Sequence, residues 1–287
     1  MTLELDTRQR AMLLEMGVHV WLPESGVAIL ESAPPPVQAV APMVRAPVVP
    51  VTTPVPAPAP APTAKAVDTK PSEVVPTDWT ALVDAVRDCK ACGLCAGRSN
   101  VSMQAPAQNL AQCDWMVVGD VPDEDEDRAG APFAGQDGVL LANMLRALGL
   151  QRANPLPSAV AAPAPVQPVT QRAYVTNVLK CRPALGAMPQ AAELAQCAVH
   201  LQREIALVQP KMILAMGRFA NQVLLAESPA LVTQPLGKLR GVLHRYQGVP
   251  VVVTYPPKLL MRNSADKAKA WADLCFAAAA LDAVRAG

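Results

Sequence analysis

Apolar and polar positions along this chain fall into blocks that switch between two periods. Residues 114–119 (DWMVVG), 173–179 (AYVTNVL), 212–216 (MILAM) and 249–255 (VPVVVTY) are short apolar runs rich in β-branched side chains. Runs of that length and composition are read as buried strands. Helical spacing occupies the intervals: Trp79–Arg87 behind Asp78 as a capping residue, then 139–148, 191–208, 218–226 and 265–284. Strands alternating with helices predict a three-layer α/β/α sandwich around a central, mainly parallel four-stranded sheet. In such a sheet ligands sit beyond the carboxyl ends of the strands. The strand at 173–179 therefore matters most, because it delivers Asn177 and then Cys181, Arg182 and Pro183 to that edge.

The pattern breaks down in two places. Residues 5–31 carry a small amphipathic helical element, with Ala11, Leu13, Leu14 and Val18 around a break at Gly17. From 32 to 76 the chain is almost entirely Pro, Ala and Val, a composition that cannot bury enough surface to offset its ordering entropy. This predicts an extended linker between a small N-terminal element (1–31) and a folded domain (77–287). A second Pro/Ala stretch, 154–170, reads as an insertion within that domain. The partner of the N-terminal helix is not legible.

Composition sharpens the picture in three ways. Thirty prolines in 287 residues make the 51% hydrophobic content less core-rich than it looks, and aromatics are only 3%, so each aromatic in a motif carries weight. The formal charge of +1 hides an asymmetry. Between Lys211 and Ala270 lie Lys211, Arg218, Lys238, Arg240, Arg245, Lys258, Arg262, Lys267 and Lys269, opposed only by Glu227 and Asp266. A basic excess of this kind suits a polyanion. No run of eighteen apolar residues occurs and the N-terminus, MTLELDTRQR, has no signal pattern, so a cytoplasmic, monomeric protein is expected.

Seven cysteines in a reducing compartment point to metal ligation or core positions rather than disulfides. Cys89 and Cys92 form one close pair, and Cys181 and Cys197 can supply a second from a strand end and a helix. Four thiolates brought to one point hold either an iron–sulfur cluster or zinc. Cys95 can stand in for Cys92 on spacing alone, while Cys113 and Cys275 read as core or surface thiols.

Taken together, the motifs resemble the family 4 uracil-DNA glycosylases, the iron–sulfur members of the uracil-DNA glycosylase superfamily. The resemblance runs from about Cys89 to Leu274. It rests on CxxCxLCxxR at 89–98, VVG at 117–119, EDRAGAPFAGQDGVLL at 126–141, YVTNVLKCRP at 174–183 and Cys197. It continues through PKMILAMG at 210–217, KLRG at 238–241, and VVVTY followed by LL at 251–260. The resemblance implies a [4Fe-4S] cluster on Cys89, Cys92, Cys181 and Cys197, uracil-containing DNA as the partner, and excision of uracil in base excision repair. It makes Asn177 the reader of the base, Phe133 the ring that stacks on it, and Val121 a further base contact. An amide both donates and accepts, so Asn177 can pair with O4 and N3–H of uracil, whereas cytosine presents the opposite pattern. Lys258, Leu259, Leu260 and Arg262 are expected at the DNA, with the leucines as candidates to fill the hole left by a flipped base.

Three places depart from the family pattern, one of them the loop after Pro183, where Leu185-Gly186-Ala187-Met188-Pro189 stands in place of an NRDP-like run. Asp120 stands where the family has its catalytic Glu, one methylene shorter, and is expected to position or activate the water. Pro256 replaces the family histidine that donates to uracil O2, and has no donor at all. Two rivals to a working glycosylase follow: a DNA-binding descendant with little or no excision, and an electron-transfer or redox-sensing cluster protein.

Overall fold

The computed structural model describes residues 12, 15, 78–106, 113–154, 171–184 and 187–286. The expected linker over 32–76 lies outside them, as does the insertion beyond Asn154. Of the N-terminal element, Met12 and Glu15 are described. Both are helical; Met12 packs against the domain's core, and the Glu15 carboxylate lies 3.7 Å from Arg146.

Among the described residues the chain forms α1 (Trp79–Arg87), a 3₁₀ turn (Gly93–Ala96), β1 (Trp115–Gly119), α2 (Glu124–Ala129), α3 (Gln136–Ala147), β2 (Leu150–Arg152) and β3 (Gln171–Asn177). It continues with α4 (Ala191–Val208), β4 (Met212–Met216), α5 (Arg218–Leu224), α6 (Pro229–Val232), α7 (Leu236–Leu239), β5 (Leu243–Tyr246), β6 (Val249–Thr254), α8 (Pro257–Arg262) and α9 (Lys267–Ala286). The strands make one six-stranded sheet in the order β2-β3-β1-β4-β6-β5, parallel throughout except for β5 against β6. The four expected strands are the inner four.

The sheet is wider than the expected four strands because both edges escape the apolar pattern. β2 is three residues long, too short to show a period, and β5 (LHRY) alternates exposed and buried with a single partner. Gln247 and Gly248 both take positive φ (48° and 84°), giving the tight turn that returns β5 onto β6.

Strand pleating explains the two cores. In β1, Met116 and Val118 join Tyr174, Leu201, Ile205 and Ile213 beneath α4, while Trp115 and Val117 join Leu141, Met144, Trp271 and Leu274 beneath α3 and α9. Both faces of the inner strands are therefore buried, which is why they read as continuous apolar runs. Each fully buried large side chain contributes about 1.5–3 kcal/mol. Asp78 starts α1 as expected, its Oδ1 accepting from Ala81 N at 2.8 Å. Trp79 then meets Tyr174 with ring centroids 5.0 Å apart and the planes tilted by 43°, which sets the start of α1 against the sheet. No helix among the described residues is long and apolar enough to cross a membrane.

Candidate active site

Because β1 and β3 run parallel and in register, Gly119 and Asn177 stand side by side at the carboxyl edge. A β-carbon on Gly119 would lie 2.4 Å from Asn177 Oδ1 and 2.5 Å from Phe133 Cζ. Only glycine leaves room for that approach. Phe133 reaches the spot from the loop between α2 and α3, with its own backbone at φ 52°, in the left-handed region. Its main-chain N–H donates to Glu126 Oε1 at 2.5 Å, which holds the turn.

Glu126, 4% exposed, ties the pocket together. Its Oε1 also accepts from Asn177 Nδ2 at 2.8 Å, and its Oε2 accepts from Asp123 N at 2.7 Å. Burial pushes its pKa up to about 7, against the pull of these three donors. Ser102 Oγ accepts a second bond from Asn177 Nδ2 at 3.3 Å. Both amide protons of Asn177 are thus committed to the protein, and its Oδ1 accepts no hydrogen bond from the described residues. The half of the amide left without a hydrogen bond among the described residues is the acceptor.

Asp120 follows Gly119 and turns toward β4. Its Oδ1 accepts from Phe219 N (2.6 Å) and Ala220 N (2.9 Å), and its Oδ2 from Arg218 N (3.0 Å), so it caps the start of α5. Burial raises its pKa, and the three N–H groups oppose that rise. Val121, half-buried, lines an open cleft with Pro122, Asp123, Arg182, Pro183 and Lys258.

Pro256 sits just ahead of α8 and Pro257 is its first residue, so neither offers an N–H to that cleft. Lys258 is largely exposed and pairs with Asp123 Oδ2 at 3.1 Å. Leu259 is 39% exposed beside the exposed Arg262. The expectation for Leu260 is corrected: it is fully buried with Trp271 and Leu274, because the one-turn helix α8 points it inward. Of the two leucines, Leu259 is the one presented to solvent.

The cysteines meet as well. Cys89, Cys92, Cys181 and Cys197 line one small cavity together with Lys180, Gln196 and His200; Cys95 does not line it. Cys113 is buried in the core, and Cys275 lies on α9. Arg98 Nη1 donates to Cys181 Sγ at 3.1 Å, and Lys180 N donates to Cys197 Sγ at 3.3 Å. Burial lifts the Cys92 and Cys181 thiols above their ordinary range and pushes Cys197 up to about 12. His200 is moved the other way, down to about 4, by burial first and then by Lys180, Arg203 and Arg98, and its Nδ1 has no hydrogen-bond partner among the described residues. Among the described residues no three His, Cys, Asp or Glu side chains converge closely enough to hold a single metal ion.

The family model of the uracil DNA glycosylase superfamily matches residues 106–275, more than half of the chain. The chain belongs to the uracil DNA glycosylase superfamily. The superfamily match spans all six strands with Asp120, Phe133, Asn177, Cys181 and Cys197, and begins after Cys89 and Cys92. Similar proteins include the type-4 uracil-DNA glycosylase of Sulfurisphaera tokodaii, 29% identical over 63% of this chain and 74% of the relative. That of Archaeoglobus fulgidus is 29% identical over 63% and 83%, and that of Pyrobaculum aerophilum 29% over 69% and 92%.

Sequence reasoning named Asn177 and Phe133 but passed over the residues that hold them, Glu126 and Ser102. The signal for Glu126 was present: an acid opening the run EDRAGAPF, seven residues ahead of Phe133 in a Gly/Pro loop. Ser102 gives no such signal, since it reaches Asn177 across 75 residues of sequence.

Proposed function

We propose that this protein is a uracil-DNA glycosylase that takes uracil out of the DNA stack and hydrolyses its N-glycosidic bond. The observation that carries this reading is the free Oδ1 of Asn177, locked in orientation by Glu126 and Ser102 beside the ring of Phe133. An extruded base stacks on an aromatic ring and is read on its Watson–Crick edge. Uracil offers N3–H to the Asn177 acceptor. Cytosine offers a lone pair at that position, which leaves two acceptors facing each other in a buried site.

In this reading Asp120 holds the attacking water on the lone pairs that α5 does not use, and α5 fixes the carboxylate. Val121 closes the pocket beside it. Lys258 and Arg262 take phosphates, and Leu259 enters the gap left by the flipped nucleotide. Cys89, Cys92, Cys181 and Cys197 hold a [4Fe-4S] cluster. All four line one cavity, which suits a group ligated by four thiolates. A cluster there would cross-link the segment after α1, the end of β3 and α4, with the Arg98 guanidinium and the Lys180 main-chain N–H donating to its thiolates.

The test is release of uracil from a single-uracil oligonucleotide, single- and double-stranded, by iron-loaded protein. Alkali-labile abasic sites at the uracil position are the expected product. Intact strands after prolonged incubation with excess protein would overturn the enzymatic reading. Pro256 favours a second reading, DNA binding with little excision, since no donor faces uracil O2 from that position. Salt-sensitive binding without release would mark it.

A further inference from the structure

Asn177 is held on its main chain by a buried lysine. Lys180 is 1% exposed, and its ammonium has three protons and three acceptors: Thr176 Oγ1 at 2.6 Å, Asn177 O at 2.6 Å and Glu204 Oε2 at 2.5 Å. Glu204, fully buried on α4, balances the charge, and its Oε1 accepts from Tyr174 and Thr176 hydroxyls at 3.0 and 2.9 Å. Each member of this network is satisfied, the condition under which a buried ionic group fixes one geometry.

The location of the bond gives it a purpose. Beyond Ala173, β3 has no strand on its β2 side, because β2 ends at Arg152. The main-chain groups that point that way are taken by side chains instead. Asn154 takes both polar groups of Val175, at 2.8 and 3.1 Å, and Lys180 takes the carbonyl of Asn177. The other side of the strand end is fixed by Val178 N donating to Gly119 O at 2.9 Å. The main chain of Lys180 reaches further, its N–H to Cys197 Sγ at 3.3 Å and its carbonyl to Ser102 N at 2.8 Å. Ser102 in turn accepts from the Asn177 amide. One residue therefore touches the base reader's carbonyl, the serine that orients its amide, and a cysteine of the cavity.

We propose that Lys180 is a positioning residue for base recognition: its ammonium sets the height of Asn177 at the strand end, and its main chain ties that height to Cys197. The proposal rests on the uracil-reading role of Asn177. Losing the Asn177 tie lets the strand end relax, and a misplacement on the order of 1 Å at a recognition site can cost about 10²-fold in rate. Lys180→Met alone would strand Glu204 as a buried unpaired charge, so the informative variant is K180M/E204Q, which keeps an acceptor for Tyr174 and Thr176.

The measurement is affinity for a duplex carrying a cleavage-resistant 2′-fluorinated uridine, set against the same duplex with 2′-fluorinated cytidine at that position, together with iron per chain. In K180M/E204Q the preference for the uridine duplex is expected to fall about 10-fold, the worth of one buried hydrogen bond. Affinity for the cytidine duplex and the iron content stay at parental values. A purely structural role would lower all three together, and that outcome overturns the proposal, as does an unchanged uridine preference. If the methionine variant does not fold, K180Q/E204Q is compared with E204Q, and equal uridine preference in those two overturns it. A parent with no uridine preference and no excision would instead sink the glycosylase reading itself.

Discussion

The carboxylate of Asp120 occupies the space that a side chain on Gly217 would need: an ideal β-carbon there lies 2.3 Å from the Asp120 carboxyl carbon. Gly217 also has φ 124° and ψ 174°, a region open essentially to glycine alone. The two residues meet where β1 and β4 diverge to opposite loops, the crevice in which open parallel sheets place their ligands. Gly217→Ala is therefore expected to destabilise the fold by roughly 2 kcal/mol or more, from backbone strain and from displacement of the cap on α5. Adding Asp120→Ala relieves the collision but not the strain, so the double variant loses less than the sum of the single changes. Thermal melting of the four proteins checks this; strict additivity would show that the contact carries no energy.

Glu126 sets a pH dependence. Its native pKa of about 7 lies above the ordinary 4.5, so the folded state holds a proton that the unfolded chain has released. Stability is then highest below about pH 4.5 as far as this group is concerned. It falls as pH rises from there to about 7, by a total on the order of 3 kcal/mol, and is level above. Activity runs the opposite way. Ionised Glu126 accepts from Asn177, Phe133 and Asp123 with the strength of a charged acceptor, and protonation weakens all three bonds. Excision is expected to rise through about pH 7, with the rising limb absent in Glu126→Gln. A limb that persists in that variant would assign the titration to another group.

The cysteine cavity makes a compositional prediction. Anaerobically purified protein is expected to contain about four irons per chain. Serine at Cys89, Cys92, Cys181 or Cys197 should remove most of it, because each of these lines the cavity. Serine at Cys95, Cys113 or Cys275 should leave it in place, since none of those does. Stoichiometric zinc, or iron lost from the Cys95 variant and kept in the Cys92 variant, would contradict the ligand set.

What could be read from the chain divides along a physical line. The inner strands were legible as apolar runs because both faces are buried, and α1 and α4 because burial of one face imposes a period; the ends of α4 and β4 fall where those patterns stop. β2 and β5 were not, because an edge strand with one neighbour needs no apolar run. Site residues followed the same rule. Asn177 stood out as a polar residue ending an apolar strand, while Glu126 and Ser102 act on it across 51 and 75 residues of sequence, and Lys180, three residues on, is turned back to it beside a partner 24 residues away. Leu259 and Leu260 looked equivalent until the helix α8 turned one of them inward.

The last prediction concerns Pro256. Cleavage of the glycosidic bond pushes negative charge onto uracil O2, so a donor aimed there contributes more in the transition state than in the ground state. Pro256 and Pro257 have no N–H, and the ammonium of Lys258 is engaged with Asp123 at 3.1 Å. Positions 256–258 therefore lack the donor that typically contributes about 10²–10³-fold. Position 256 has φ −68° and ψ 145°, ordinary extended backbone that histidine adopts without strain, and its carbonyl rather than its nitrogen serves α8. Pro256→His should thus fold as the parent does and raise the single-turnover rate of uracil excision at least about 10-fold, allowing for imperfect aim. Asp120→Asn in the same background should remove the gain if that carboxylate holds the water. Should the parent excise nothing and Pro256→His remain silent while both bind DNA, the protein is a reader of DNA that has given up its chemistry.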